Sequence, residues 1–128
     1  MNIQDKRPAG IALHTKSRTL ELQYDNDEQY SLSCEYLRVH SPSAEVRGHG
    51  PDQEVLQSGK INVNISSIEP VGNYALQLIF DDGHDTGFYS WSYLYELCSM
   101  QDQKWQTYLD RLSAAGASRD PDVQVLKL

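Results

Sequence analysis

The sequence predicts an α+β domain with a small antiparallel-rich β-sheet, one short inserted helix and a C-terminal helical segment. Short stretches with the two-residue period of strands are separated by turn residues, and helical spacing takes over after Ser90. The 128 residues suit one domain. We expect residues 1–9 to be a flexible leader, 10–116 the folded domain and 117–128 a weakly ordered tail.

Alternation and turn chemistry predict the first elements. Residues 10–14 form a short strand, and residues 19–24 alternate polar and large side chains, as a half-buried strand does. An Asp-Asn-Asp turn then returns the chain into a strand at residues 29–32. Ser33 can accept an amide hydrogen bond, which predicts that it caps a short helix over residues 34–40.

A long stretch over residues 41–60 contains prolines and glycines but neither regular period, so we predict a loop there. After it, predicted strands at residues 65–71 and 74–80 flank a Gly-Asn turn. An Asp-Asp-Gly-His turn leads to a further strand at residues 85–89.

Charge limits the classes of partner. A formal charge of −7 and dispersed basic residues argue against nucleic acid and against an anionic membrane surface. No apolar run approaches the ~20 residues of a membrane span. The two cysteines form no metal-type pair, which favours a reducing, cytoplasmic location. Cys98 is predicted to pack in the core, and Cys34 is a candidate for a lowered pKa at a helix start.

Histidines and carboxylates offer one metal-binding alternative. If the long loop folds over the turn, His40, His49 and His84 can converge beside the aspartates of that turn and bind zinc or iron. None of the histidines begins the His-x-Asp/Glu pattern of a non-haem iron oxygenase, so direct oxygenase activity is not predicted. A small hydrolase built around His84 and its carboxylates is a third alternative.

Aromatic residues follow the predicted helix cap Ser90, and helical spacing continues to Gly116. Trp91 and Tyr95 lie four residues apart, on a different face from Leu97, and one helix cannot bury both faces without a further covering surface. We therefore predict a protein-interaction surface, with guanidinium groups that can bind a partner carboxylate, at Trp91, Tyr95, Arg38 and Arg47.

Three stretches carry a family resemblance: Tyr36-Leu-Arg-Val-His-Ser-Pro-Ser-Ala-Glu-Val-Arg-Gly-His-Gly50, Ile68-Glu-Pro-Val-Gly-Asn-Tyr-Ala-Leu76, and Phe80-Asp-Asp-Gly-His-Asp-Thr-Gly87 running into Tyr89-Ser-Trp91. In this order, the chain resembles the gamma-butyrobetaine hydroxylase-like N-terminal domain family over about residues 8–97. Any one stretch alone is weak, but together they are specific. The resemblance implies a domain without the catalytic barrel.

In the hydroxylases this domain holds a structural zinc with three cysteines and one histidine as ligands. Carried across, the histidine falls on His84 and the cysteine positions fall on Ser41, Ser43 and Val46. Serine is a poor zinc ligand and valine has no donor atom, so this zinc site is predicted to be lost.

The resemblance also implies a role. In the hydroxylases the domain contributes architecture and dimer contacts, and other relatives are fused to Mrp-type P-loop carriers of iron–sulfur clusters. We therefore expect a non-catalytic adaptor domain with a protein partner, a homodimer being one form of it. A link to iron–sulfur or metal handling follows by analogy alone.

Overall fold

The computed structural model describes residues 6–48, 50, 52–126 and 128. Within these residues the strands are β1 (Gly10–His14), β2 (Thr19–Gln23), β3 (Gln29–Ser33), β4 (Ile65–Val71), β5 (Ala75–Phe80) and β6 (Gly87–Ser90). The first sheet has the order β1-β2-β3 and the second has the order β4-β5-β6, with all neighbours antiparallel. The predicted α+β class is confirmed, with the strands divided between two sheets.

Four helices accompany the sheets, at α1 (Cys34–Val39), α2 (Ala44–Arg47), α3 (Trp91–Ser99) and α4 (Gln101–Ala115). Serine side chains cap three of them: Ser33 accepts from the Tyr36 amide, and Ser43 and Ser90 do the same for α2 and α3. Gly116 ends α4 in the left-handed conformation, φ 66°, as expected of a C-terminal glycine.

Helix α2 corrects the prediction that residues 41–60 form a loop and that only one helix is inserted. It is a single turn of four residues. Four residues are too few to show the 3.6-residue period of a helix in the sequence, so the capping residue Ser43 is the signal that indicates this helix. The strand expected at residues 85–89 is also shifted, because β6 begins at Gly87.

Both sheets contribute to one hydrophobic core. Leu22 and Leu32 of the first sheet, and Leu78 and Tyr89 of the second, are fully buried in the same cluster, as is Leu97 of α3. In β5, three residues that alternate along the strand, Leu76, Leu78 and Phe80, belong to this cluster, and none of its six residues is exposed. No helix in the described part of the chain is long and apolar enough to cross a membrane.

The segment after Gly116 was expected to be weakly ordered, but its first residues lie against the domain. The Gly59 amide donates to the Ser118 carbonyl at 2.9 Å, and the Ile61 amide donates to the Arg119 carbonyl at 3.0 Å. The Arg119 guanidinium forms a two-armed ion pair with Glu35 of α1, at 2.8 and 2.6 Å. Residues 118–119 are therefore held against the loop before β4 and against α1.

Candidate functional site

The positions that the resemblance implies as zinc ligands come together around the Asp-Asp-Gly-His turn. Ser41 and His84 are 1% and 5% exposed, and Ser41 Oγ lies 2.8 Å from His84 Nε2. Ser43 and Val46 are also buried, and the Val46 amide donates to the Ser43 carbonyl at 3.0 Å. Two segments about forty residues apart thus meet through Ser41 and His84.

Glu45 and Thr86 complete a hydrogen-bond network there. Glu45 Oε2 lies 3.2 Å from His84 Nδ1, and its Oε1 accepts from the Thr86 hydroxyl at 3.4 Å. Thr86 Oγ1 lies 2.8 Å from Ser43 Oγ. Sequence reasoning assigned no role to Glu45 or Thr86. The available signal was their spacing, since each lies two residues after a site residue, Ser43 or His84.

These residues do not fit a structural zinc. Tetrahedral zinc takes thiolate or imidazole ligands, and of the four positions only His84 offers one. The donors and acceptors present instead satisfy one another. If His84 Nδ1 donates to the Glu45 carboxylate, Nε2 accepts from the Ser41 hydroxyl, which in turn accepts from the Ser43 amide at 3.3 Å. Hydrogen bonds connect the segments that a metal would otherwise join.

The order Ser41–His84–Glu45 is also that of a nucleophile, a base and an orienting acid. Ser41 is only 1% exposed, however, and Gly87 lies so close that a Cβ added there would stand 2.6 Å from Ser41 Oγ. Burial, and then the Arg38 charge, lower the pKa of His84, so the ring is neutral near pH 7. A neutral imidazole can accept a proton, but the Ser41 hydroxyl is buried and already bonded to His84 and to the Ser43 amide.

Of the three histidines predicted to converge, the two that are described, His40 and His84, have different partners. His40 Nδ1 lies 2.8 Å from the Tyr36 carbonyl, and its ring packs against Tyr36 and Tyr108. Burial lowers the pKa of His40. His49 lies outside the described residues. Across the described ranges no three His, Cys, Asp or Glu side chains are grouped to hold a metal, and the metal-binding alternative stays a prediction.

Arg38 contacts a carboxylate of its own chain. Its Nε donates to Asp82 Oδ2 at 2.9 Å, its Nη1 donates to Gln57 at 3.0 Å, and its side chain is 8% exposed. Lys60 reaches the same Asp82 oxygen at 2.7 Å. Burial opposes ionisation of Asp82, but Lys60, the His84 amide and Arg38 outweigh it and lower its pKa. Arg38 therefore ties α1 to the turn that carries His84.

The aromatic helix face is covered from within the chain. Trp91 Nε1 donates to the Asn73 carbonyl at 2.8 Å, and the Arg7 guanidinium lies 5.2 Å from its ring. The Tyr95 hydroxyl donates to Glu28 at 2.8 Å, while Lys6 lies 4.4 Å from its ring. Residues 6 and 7 thus cover part of the face that sequence reasoning left for a partner.

Arg47 lies on the other side of α3. Its guanidinium is 4.7 Å from the Tyr93 ring, and Arg47 itself is exposed. The Tyr93 hydroxyl donates to the His40 carbonyl at 2.6 Å, which holds the ring in place. No ion pair to Arg47 is found within the described residues, so its charge remains available for an anion.

A groove of about 680 Å³ opens beside this pair. One wall is formed by residues 46–48, 50 and 54–57, and the other is formed by α3 and α4. Val55 and Met100 are 52% and 37% exposed at its surface. Three cations and two acids line the groove, in a chain whose formal charge is −7: Arg47, Lys104, Arg111, Glu54 and Glu96.

Neither thiol is activated. Cys34 and Cys98 are buried and unpaired by disulfide. Burial raises the pKa of Cys34, contrary to the lowering expected at a helix start, and raises the pKa of Cys98 to about 12. Cys98 packs in the core as predicted. At Cys34, desolvation outweighs the hydrogen bond from the Ile65 backbone, which favours the thiolate.

Comparison with known proteins agrees with the resemblance. The family model described as gamma-butyrobetaine hydroxylase-like, N-terminal, matches residues 11–95. Two structures solved by NMR in solution are each 56% identical and cover 96% of this chain, with TM-scores of 0.81 and 0.77 over 97% and 92% of their own lengths. A search of curated proteins finds no match.

A crystal structure at 1.93 Å from Acidithiobacillus ferrooxidans is also similar. It is 32% identical, with a TM-score of 0.63, and the match covers 77% of this chain and 99% of that one. It is described as a protein with unknown function that belongs to the DUF971 family. These three chains therefore share the fold over most of their own lengths.

Proposed function

This chain belongs to the gamma-butyrobetaine hydroxylase-like N-terminal domain family, and we propose that it acts as a non-catalytic module that binds a partner protein. The groove between residues 46–48, 50 and 54–57 on one side and helices α3 and α4 on the other carries the proposal. Its walls are the two segments, the long loop and the aromatic helix, in which the sequence indicates a contact surface. The proposed location is the cytoplasm.

The chemistry of the groove suits a polypeptide. Val55 and Met100 offer exposed apolar surface, and the Arg47–Tyr93 pair offers a cation and an aromatic ring. Arginine and tyrosine are enriched among the residues that dominate binding energy at interfaces. Tyr93 is already oriented by its bond to His40, so less conformational entropy is lost on binding.

Site-specific photo-crosslinking tests this proposal. A benzoylphenylalanine placed at Val55 or at Met100 should capture the same partner in living cells. The matched control at Glu69, which is exposed on β4 and does not line the groove, should not. Equal capture from Glu69, or none from either groove position, contradicts the proposal.

The captured partner also tests the analogy with iron–sulfur carriers. Mass spectrometry that identifies an iron–sulfur or metal-handling protein would support that finer role, and a partner from another process would remove it. Metal analysis of untagged protein addresses the metal-binding alternative. Stoichiometric zinc or iron that is lost in His84→Ala would favour metal binding over a metal-free adaptor.

The Ser41–His84–Glu45 order favours a hydrolase as the second candidate function. We propose that this network is structural, because Ser41 is buried and packed over Gly87. A fluorophosphonate probe should therefore leave Ser41 unlabelled in the folded protein. Labelling that disappears in His84→Gln would favour the hydrolase.

A further inference from the structure

The segment after Arg119 exposes a run of apolar side chains. Val123, Val125 and Leu126 are 50%, 46% and 78% exposed. Two exposed acids, Asp120 and Asp122, precede them. Large exposed apolar side chains close together mark a contact surface more often than isolated ones do. This segment, residues 120–126, is called the tail below.

The tail starts from a fixed point. Arg119 is held by the two-armed ion pair with Glu35 and lies 5.0 Å from the centre of the Trp105 ring. Beyond it, Asp120, Val123 and Val125 line a hollow with Ser58–Gly59 and residues 115–118, not the groove. The apolar side chains of the tail remain exposed there, so the folded domain does not bury them.

The groove matches the tail in length. Its α4 wall runs from Met100 to Arg111, a stripe of residues spaced three and four apart. The eleven steps from Met100, the N-cap of α4, to Arg111 rise about 16 Å, which is the length of about five extended residues. The tail has seven residues, enough to follow this wall.

The groove also matches the tail in charge. Lys104 and Arg111 of its wall lie about 10 Å apart along the helix. Asp120 and Asp122 lie in a turn, in which Asp120 Oδ1 accepts from the Asp122 amide at 2.9 Å and the Asp120 carbonyl accepts from the Val123 amide at 3.3 Å. Opened into an extended chain, the two acids lie about 7 Å apart, within reach of those long side chains. The ion pairs that Lys104 and Arg111 make with Glu96 and Glu54 have partly exposed partners and are weak competitors.

We infer that the tail of a second copy of this chain occupies the groove, its acids on Lys104 and Arg111 and its valines against Val55 and Met100. The inference rests on the proposed function of the groove as a protein-binding site and names one occupant. Two copies can exchange tails reciprocally, which gives a closed dimer with two equivalent contacts. Each contact is small, so the dimer is expected to be weak and concentration-dependent.

Sedimentation velocity with charge exchange tests the inference. The wild-type chain should move from monomer towards dimer as its concentration rises to about 1 mM, a range suited to weak association. A groove variant, Lys104→Glu with Arg111→Glu, and a tail variant, Asp120→Lys with Asp122→Lys, should each stay monomeric. Mixed in equal amounts, they should form the heterodimer, because both contacts are again complementary.

A double variant with the same change in net charge as the tail variant serves as control. Asp25→Lys with Asp85→Lys alters exposed turns away from the groove and should dimerise like the wild type. Circular dichroism of every variant shows whether the fold is intact. A monomeric wild type at all concentrations, or a mixture that stays monomeric while both variants are folded, overturns the inference.

The two levels fail separately. If Val55 and Met100 capture a different protein while the wild type stays monomeric, the second-copy inference is wrong and the protein-binding role stands. If the wild type dimerises but the control variant stays monomeric, as the groove and tail variants do, the loss of the dimer does not depend on the groove. The dimer then uses another surface, and the inference is equally wrong. If the tail folds into its own groove, a charge-exchanged mixture remains monomeric, which again refutes it.

Discussion

Replacing Arg119 by Ala removes one partner of the ion pair that holds the end of the chain to α1. Nε and Nη2 lie 2.8 and 2.6 Å from the two carboxylate oxygens of Glu35. The Glu35 side chain is 6% exposed and that of Arg119 is 37% exposed. The variant leaves the Glu35 carboxylate buried without its counter-charge, so we expect a loss of stability.

Removing one member of a fully buried ion pair costs about 3–5 kcal/mol. Because water reaches part of Arg119, we expect a smaller loss of about 2–3 kcal/mol. The contact with the Trp105 ring accounts for about 0.5–1 kcal/mol of this. In a chain of 128 residues, 1 kcal/mol corresponds to about 4 °C in Tm. The expected fall in Tm is therefore about 8–12 °C.

Urea denaturation followed by circular dichroism measures the change in the free energy of unfolding. Arg119→Lys keeps the charge but loses the two-armed geometry, so it should lose about 1 kcal/mol. The control Glu54→Ala breaks the 3.5 Å pair with Arg111, in which both side chains are about half exposed. It should change stability by less than ~0.5 kcal/mol. A loss for Arg119→Ala as small as that of the control would refute the reasoning.

Three further predictions concern the network around His84 and, in one case, the buried ring of His40 as well. Gly87→Ala puts a Cβ 2.6 Å from Ser41 Oγ, so the free energy of unfolding measured by urea denaturation should fall by about 1–3 kcal/mol. The control Gly10→Ala meets nothing within 4 Å and should cost no stability. Burial lowers the pKa of His40 and His84, so both rings bind a proton more weakly in the folded chain than in the unfolded chain. Their contribution to stability should be complete above about pH 6.5 and decline as the pH falls below it. Urea midpoints that stay constant between about pH 8 and 5 would contradict this. The triple variant Ser41→Cys, Ser43→Cys, Val46→Cys restores the implied cysteines beside His84 and should bind one zinc per chain. Metal analysis of the purified variant that finds no zinc would contradict this.

Local chemistry was enough to predict much of the fold. The bounds of β4 were predicted correctly because the strand ends at the Gly72-Asn73 turn, where the φ of Gly72 is 53°. The start of α3 at Trp91 followed from the capping hydroxyl of Ser90. These signals act over a few residues, between a side chain and its own backbone, so they are visible in the sequence.

The site needed the tertiary structure. The sequence by itself determined the kinds of strand, turn and cap, the family resemblance and the loss of zinc-ligand chemistry at three positions. It did not determine that Glu45 and Thr86 close the network, that Arg38 binds Asp82, or that Arg119 binds Glu35 across 84 residues. Each acid and base has many possible partners in the sequence. Only the packing of distant segments decides which of them lie within hydrogen-bonding distance.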